Sequence, residues 1–287
     1  MNSLPHDPSP SQYGGAHYHQ HPTRVLLSGI DTIVLSYRAD PHPDTETLLD
    51  NLRLHAQQNR YPSVTVAGLT FSLHHNHAGA LVSPGVMTVF LRPRPYYSTV
   101  ELRSEYLHQH TYPETIALVR RIVDQLFIAP YLSERVSRVD LHADVVGWPS
   151  AATLPWKGAP LGFVSLARKR RCTEYAGFHF GTRTGRRQST SCSIYVKDDA
   201  KPWLKRIWTE RGWSGETVTR TEFRLPRRKL HALHIDAPEE LPGAVPELWK
   251  NLTHRWLRLH EECPDSRRDR WPLHPAWRCV QEAVPEL

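Results

Sequence analysis

The sequence predicts an α+β fold with a largely antiparallel central sheet, helices on one face of that sheet and a C-terminal helical extension. Three observations predict it. Residues 137–146 alternate strictly between apolar and polar side chains, which is typical of a half-buried strand. Residues 114–128 repeat apolar positions three and four apart, which is typical of a helix. The candidate elements also follow one another in the order strand, helix, strands, helix, strand.

The first half of the chain supplies most of these elements. Residues 1–23 are rich in His, Pro and Ser with almost no aliphatic side chains, so we expect a disordered tail there. A strand follows from residue 24, and Pro41 and Pro43 end it. Residues 45–57 have apolar positions at helical spacing, with Asp44 or Thr45 as the N-cap. Further strands are expected at 63–74, 86–91 and 99–103.

The second half begins with a connection rich in Pro, Gly and Ala at residues 148–160. Two strand-like segments then flank a turn rich in Thr, Gly and Arg at 181–188, which predicts a β-hairpin with a basic tip. Residues 217–225 alternate as a further strand, and residues 246–262 are predicted to form an amphipathic, Trp-rich helix. The predicted organisation is therefore a tail over 1–23, one domain over 24–235 and a helical extension over 236–287.

Composition excludes several classes of protein. A chain of 287 residues buries enough surface to fold without disulfides, and its four cysteines show no CxxC pairing, so free thiols are expected rather than a disulfide framework or a zinc site. No stretch approaches the roughly 18 apolar residues of a spanning helix, and the N-terminus lacks the apolar run of a signal peptide. We therefore expect a cytoplasmic protein with no membrane partner.

Positive charge is concentrated in one part of the chain. The whole chain has a formal net charge of +7. Residues 151–235 contain 18 Lys and Arg against 6 Asp and Glu, whereas the segments on either side are slightly acidic. A local basic patch favours a polyanionic partner such as DNA. A solvated basic face is the alternative, and a membrane surface is disfavoured because no basic amphipathic helix is evident. The predicted DNA-binding residues are Lys169, Arg170, Arg183, Arg186, Arg187, Arg220 and Arg224.

Acidic residues and a histidine share one face of two predicted strands. Asp140, His142 and Asp144 project together from residues 137–146, and Glu222 lies between two arginines on a second strand. Carboxylates with an imidazole suit Mg²⁺ or Mn²⁺, the ions that phosphodiester chemistry uses. Asp140 and Asp144 lie about 13 Å apart along the strand, so they cannot both bind one ion directly. Solvated acids and a structural ion pair at Glu222 are the alternatives.

A phenol and an ammonium lie together at the end of the predicted hairpin. Ser193, Tyr195 and Lys197 share a strand face, and a lysine beside a tyrosine favours the phenolate form. A phenolate that attacks phosphorus gives a phosphotyrosyl ester, which preserves the bond energy for later religation. The alternative is an ordinary strand tyrosine beside a surface lysine.

Four segments together resemble the signature of the replication initiation factor family, the tyrosine-dependent initiators of rolling-circle plasmids and filamentous phages with related relaxases. They read RVDLHAD, GFHFGTR, IYVK and RTEFRL, and the opening strand GIDTIVLS is also similar. The resemblance covers about residues 24–235. It implies a nick at the double-strand origin by a tyrosine that becomes attached to the 5′ phosphate, with a divalent metal held by acidic residues.

Matched by position, the resemblance makes Tyr195 the nucleophile, Lys197 its neighbour, and Asp140, Asp144 and Glu222 the acids that position the metal or a water molecule. The sequence departs from the pattern in two places. His142 lies between the two aspartates, and a further acid, Asp199, follows the tyrosine motif.

The resulting hypothesis is a Mg²⁺- or Mn²⁺-dependent DNA nicking and joining enzyme that initiates rolling-circle replication of a plasmid, phage or mobile element. Its expected partner is single-stranded or hairpin origin DNA, and the sequence leaves a homodimer and a host helicase open. Three alternatives remain open as well: a conjugative relaxase of an integrative element, a non-catalytic DNA-binding regulator with the same fold, and a metal-dependent nuclease that uses activated water.

Overall fold

A computed structural model describes most of the chain. The described residues are 23–40, 42–57, 63–74, 80–90, 97–128, 133–148, 162–165, 170–173, 177–181, 189–261 and 263–287. The tail predicted over residues 1–23, apart from Thr23, lies outside them. So do nearly all of the predicted connection at 148–160 and residues 182–188 of the hairpin tip.

Strands dominate the described part of the chain. Their bounds are β1 Arg24–Arg38, β2 Ser63–Val66, β3 Leu69–His74, β4 Ala80–Ser83, β5 Met87–Phe90, β6 Tyr97–Arg103, β7 Ser133–Val146, β8 Gly162–Ser165, β9 Arg170–Thr173, β10 Gly177–Phe180, β11 Ser191–Val196, β12 Val218–Pro226 and β13 Leu257–His260. Among these, eleven form one antiparallel sheet in the order β2-β3-β4-β5-β6-β1-β7-β12-β11-β10-β9, and β8 pairs with β13.

The α-helices are shorter and are dispersed along the chain. Their bounds are α1 Pro43–Gln57, α2 Ser104–Leu107, α3 Tyr112–Leu126, α4 Pro202–Glu210, α5 Arg227–His231, α6 Leu241–Asn251 and α7 Pro275–Glu282. No helix within these described bounds is long and apolar enough to cross a membrane.

One face of the sheet carries the main hydrophobic core. Val139, Leu141, Ala143 and Val145 of β7 are buried there, and α3, α6 and α7 contribute apolar side chains to the same cluster. The N-terminus of α3 has a capping box, in which the side chains of Thr111 and Glu114 bond the free backbone amides of the first turn. The predicted α+β class with an antiparallel sheet is confirmed.

A smaller apolar cluster lies on the opposite face. Leu204 and Trp208 of α4 pack there against Leu27 of β1, Val146 of β7 and Val218 of β12. The sequence patterns do not predict α4, which begins at a proline in the first helical position. This helix covers one end of the face on which the predicted site residues lie.

The predicted helix over 246–262 is wrong in extent. The helix begins earlier, at Leu241, and α6 ends at Asn251 with a π turn over Leu252–Trp256; residues 257–260 then form β13. The π turn is bonded to α7, since the carbonyl of Thr253 accepts hydrogen bonds from Trp277 Nε1 at 2.9 Å and Gln281 Nε2 at 3.0 Å. Trp249, Leu252 and Leu259 are buried in the main core, and Trp256 is partly buried against it.

The prediction of a single strand over 63–74 is also wrong, because these residues form a hairpin of β2 and β3. Ala67 and Gly68 form the turn with φ values of 50° and 82°. Gly68 meets that requirement because glycine has no Cβ to clash at positive φ.

Candidate active site

The sheet register brings polar side chains of four strands onto one face. In β7 and β12, Asp140 pairs with Arg224, His142 with Glu222, and Asp144 with Arg220. The pairing continues across β11 and β10. Glu222 and Arg220 of β12 pair with Ser193 and Tyr195 of β11, and these pair in turn with His179 and Gly177 of β10. The predicted nucleophile and the predicted acids therefore share one surface of the sheet, because directly paired residues point to the same side.

Tyr195 and Glu222 are in direct contact. The phenolic hydroxyl donates a hydrogen bond of 2.9 Å to Glu222 Oε2, and both residues are half-buried. The predicted nucleophile and one of the predicted acids are therefore in hydrogen-bond contact. A carboxylate that accepts the hydroxyl hydrogen is placed to remove the proton when the oxygen attacks an electrophile.

The environment of Tyr195 keeps its hydroxyl protonated. Burial raises the pKa of the phenol, and the negative charge of Glu222 raises it further. Lys197 does not reverse this effect, since its Nζ lies 5.8 Å from the centre of the Tyr195 ring and pairs with Asp199 at 2.7 Å. The expectation that Lys197 favours the phenolate therefore needs correction, because this ammonium is neutralised by the acid that follows it.

Glu222 has a raised proton affinity. Loss of hydration raises the pKa of this carboxyl, and the charges of Asp31 and Asp140 raise it further. A raised carboxyl pKa makes Glu222 a stronger base for the Tyr195 proton, while the raised pKa of the phenol opposes its transfer until the oxygen begins to bond to phosphorus. The pair is thus arranged for deprotonation by Glu222 during attack, without a preformed phenolate.

Arg220 and Asp144 form a buried ion pair behind the tyrosine. Arg220 Nε lies 2.7 Å from Asp144 Oδ1, its Nη1 lies 2.7 Å from Asp31 Oδ1, and only 3% of the Arg220 side chain is exposed. Trp208 Nε1 of α4 donates a further hydrogen bond of 2.9 Å to Asp144. The guanidinium lowers the pKa of Asp144 against the opposing effect of burial. Arg220 therefore orders the interior of the face and is not presented to DNA, which corrects its predicted role.

Asp140 is held between two arginines. Arg138 Nη2 and Arg224 Nη2 each lie 2.9 Å from Asp140 Oδ2, and the aspartate is buried. Arg224 is 20% exposed, and its guanidinium is engaged by this pair. The arginine predicted to hold the DNA backbone is therefore part of a structural ion pair, as Arg138 is.

His142 is fully buried, and neither of its ring nitrogens has a hydrogen-bond partner among the described residues. Its Nε2 lies 4.0 Å from Asp144 Oδ2, and its ring contacts His108 edge-on at 5.1 Å between centres. Burial lowers the pKa of His142 to about 3 and that of His108 to about 4, so both rings are neutral near pH 7. Gly29 makes room for His108, since a Cβ there would lie 2.6 Å from His108 Cε1.

The four predicted metal ligands do not fit together as one cation site. Asp140 and Asp144 are bonded to guanidinium groups, which occupy the oxygens that an ion would need. Across the described ranges, no three His, Cys, Asp or Glu side chains are grouped so that they could hold a metal. The orphan nitrogens of His142 are the feature that best suits a ligand, but they do not compensate for the engaged aspartates. The requirement for Mg²⁺ or Mn²⁺ stays a prediction.

Most of the predicted DNA-binding residues lie where the structure gives no side chains. Lys169, Arg183, Arg186 and Arg187 lie outside the described residues, and Arg170 is described only as part of the backbone of β9. Their predicted contacts with DNA stay predictions. The strands on either side of residues 182–188 are β10 and β11, and β11 also carries Tyr195.

Three residues of this face were missed from the sequence. Asp31 lies at an irregularity in the pairing of β1 with β7, which strand alternation does not predict. Trp208 comes from α4, which the sequence patterns do not predict. His179, whose Nδ1 lies 3.0 Å from Ser193 Oγ, was detectable, because the alternation of GFHFG places it on the same face as Tyr195 once the hairpin register is known.

A solved structure is similar to this chain at low sequence identity. It is a rolling circle replication initiator protein from Geobacillus stearothermophilus, with 15% sequence identity and a TM-score of 0.48 over 91% of this chain and 99% of that chain. No family model matches the chain. No curated protein matches it either. At this identity and TM-score, the similarity does not assign a function to the chain.

Proposed function

We propose that this protein is a site-specific DNA nicking and joining enzyme that initiates rolling-circle replication of a plasmid, phage or other mobile element. Tyr195 is the nucleophile and becomes linked to the 5′ phosphate. The observation that carries the proposal is the 2.9 Å hydrogen bond from the Tyr195 hydroxyl to Glu222 on a half-buried face of the sheet. Initiation of conjugative transfer uses the same chemistry and is included in the proposal.

The proposed reaction uses Glu222 as general base. As the Tyr195 oxygen attacks phosphorus, its proton passes to Glu222, the bond from phosphorus to the 3′ oxygen breaks, and a phosphotyrosyl ester remains. Arg220, ion-paired directly to both Asp144 and Asp31, lies beside Tyr195 across the strand pair, and its guanidinium offsets part of the rise in the pKa of the phenol. Religation is the reverse, with a 3′ hydroxyl as the attacking group.

A second tyrosine shows which feature makes Tyr195 suitable. Tyr37 also donates to a glutamate on a neighbouring strand, with 2.7 Å between its hydroxyl and Glu134 Oε1. Tyr37 is completely buried, however, whereas Tyr195 is partly exposed. A polymer can therefore approach Tyr195 and cannot approach Tyr37, although the two hydrogen bonds are alike.

This comparison provides the test. Purified protein is incubated with Mn²⁺ and a randomised pool of single-stranded oligonucleotides, and covalent adducts are separated under denaturing conditions. We expect Tyr195→Phe to abolish the adduct and Tyr37→Phe to retain it, because only the first variant removes the nucleophile.

Two results would contradict the proposal. If the wild type binds DNA but forms no adduct, the protein is a DNA-binding regulator. If DNA is cleaved equally by the wild type and by Tyr195→Phe, the nucleophile is water. The same assay with EDTA in place of Mn²⁺ tests the predicted requirement for a divalent ion.

A further inference from the structure

His179 and Ser193 form a hydrogen-bonded pair next to the proposed nucleophile. His179 Nδ1 lies 3.0 Å from Ser193 Oγ, and the two residues are directly paired between β10 and β11. Ser193 is in turn the cross-strand partner of Glu222 on its other side. The proposed reaction as described above uses neither His179 nor Ser193.

The position of His179 relative to Tyr195 suits a group that acts on the far side of a phosphodiester. Gly177 pairs directly with Tyr195, and His179 lies two residues further along the same strand. Such diagonal neighbours on one sheet face are about 7–8 Å apart. In an in-line displacement the attacking and leaving oxygens lie on opposite sides of phosphorus, so the group that serves the leaving oxygen must be separated from the nucleophile.

Gly177 leaves no side chain on β10 at the position that is paired with Tyr195. Its φ is 127°, and a Cβ there would overlap the carbonyl oxygen of Ile194. Strand β10 therefore contributes no side chain directly opposite Tyr195, and the next side chain on that face of the strand is the imidazole of His179.

We propose that His179 is the general acid that protonates the leaving 3′ oxygen, and that Ser193 positions its ring. This proposal rests on the proposed function. Nδ1–H of the imidazolium donates to Ser193 Oγ, and Nε2–H gives its proton to the 3′ oxygen as the bond to phosphorus breaks. The products are a tyrosyl phosphodiester, a 3′ hydroxyl, a protonated Glu222 and a neutral His179, so the protons balance. In religation His179 takes the proton back from the 3′ hydroxyl.

The test replaces the leaving atom. A substrate with sulfur in place of the bridging 3′ oxygen leaves as a thiolate, which needs no proton. For His179→Ala we expect single-turnover adduct formation to be about 10²-fold slower than the wild type on the oxygen substrate, and restored to within a few-fold of the wild type on the sulfur substrate. His179→Gln, which can still bond Ser193, should behave in the same way if the alanine variant does not fold.

Further variants separate the possible outcomes. Ser193→Ala should show a smaller defect, about 10-fold, that the sulfur substrate also relieves. A defect of His179→Ala and His179→Gln that is equal on both substrates, or no defect at all, overturns the role of His179. Tyr195→Phe should be inactive on both substrates. A wild type that forms no adduct with either substrate overturns the proposed function itself, a result that differs from all of these.

Discussion

The fully buried His142 and the half-buried His108 are two neutral histidines beside the ion pair of Asp144 and Arg220. Both nitrogens of His142 and Nε2 of His108 are withdrawn from water, and protonating either ring would add positive charge next to Arg220. The burial of these rings is the cause of their lowered pKa values, about 3 and about 4. Protonation of either ring should therefore destabilise the polar face.

This arrangement predicts a loss of stability in mild acid. Unfolding returns each histidine to an ordinary pKa of about 6.5. Below that pH the unfolded state therefore binds more protons than the folded state does. Stability should therefore fall as the pH drops from about 6.5 towards 4. The expected loss is about 2 kcal/mol per histidine between pH 7 and pH 5, at about 1.4 kcal/mol per pH unit.

Urea unfolding at the two pH values measures this loss. His142→Leu removes one titrating ring and should reduce the difference in unfolding free energy between pH 7 and pH 5 by about 2 kcal/mol. The exposed His254 lies outside this cluster, so His254→Leu should leave the difference unchanged. An unaltered difference in His142→Leu would refute the account of the buried pair.

Between β10 and β11, the backbone itself limits which residues can stand beside Tyr195. Gly177 has a φ of 127° and lies against the carbonyl of Ile194, the residue before Tyr195. The close approach of these two strands fixes how β11 presents the tyrosine. A side chain at position 177 would have to move the strand that carries the nucleophile.

We therefore expect Gly177→Ala to be much more costly than a glycine replacement in an open turn. Gly177→Ala should lower the free energy of unfolding by about 3 kcal/mol, because unfavourable φ and steric overlap add. Gly68 has a φ of 82°, and a Cβ at that position would meet no atom within 4 Å, so Gly68→Ala should cost only about 1 kcal/mol. Thermal or urea unfolding measures the free energy of unfolding of the two variants. Equal losses would contradict the close approach of β10 and β11 at Gly177.

Local pattern was enough to predict the strands and the two faces of this region, and long-range pairing was not. The alternation of residues 137–146 placed Asp140, His142 and Asp144 together, and the structure keeps them together. The cover of Asp144 by α4 and the pairing of both aspartates with arginines depend on a register between strands some 80 residues apart in the chain, such as that of Asp140 with Arg224. Sequence spacing does not show which distant strands pair or in which register. For that reason Asp140, His142 and Asp144 indicate a metal site when only the sequence is considered.

The same reason explains the outcome for Tyr195. Strand alternation predicted that it shares a face with Ser193, and the resemblance predicted its partner Glu222. The prediction that Lys197 stabilises the phenolate is wrong because Lys197 pairs with Asp199 at 2.7 Å. Asp199 is as close to Lys197 in the sequence as Tyr195 is, so sequence distance does not show which of the two the lysine contacts.

Over the whole molecule, charge is divided between interior and exterior. The basic segment 151–235 includes Arg220 and Arg224, whose charges the structure uses for ion pairs with Asp144 and Asp140. These arginines support the face from within. Under the proposed function, we therefore expect the contacts with DNA from other basic residues of the segment, such as Arg183, Arg186 and Arg187.

This division predicts which arginines determine the salt dependence of DNA binding. Each phosphate contact with a single strand contributes about 0.7 to the slope of log affinity against log salt concentration. Replacing Arg183, Arg186 and Arg187 together by Gln should reduce the slope by about 2. The matched control replaces the three exposed arginines Arg267, Arg270 and Arg278 by Gln, which removes the same charge and should leave the slope unchanged. Equal changes in both variants would mean that net charge alone attracts DNA.

The most direct measurement is the identity of the residue that becomes attached to DNA. The adduct formed with single-stranded oligonucleotides is digested with nuclease and trypsin, and the modified peptide is sequenced by mass spectrometry. Residues 188–197 form one tryptic peptide in which Tyr195 is the single tyrosine. We predict a nucleotide linked through its 5′ phosphate to Tyr195. A nucleotide on any other residue, or cleaved DNA with a free 5′ phosphate and no modified peptide, would contradict the central claim.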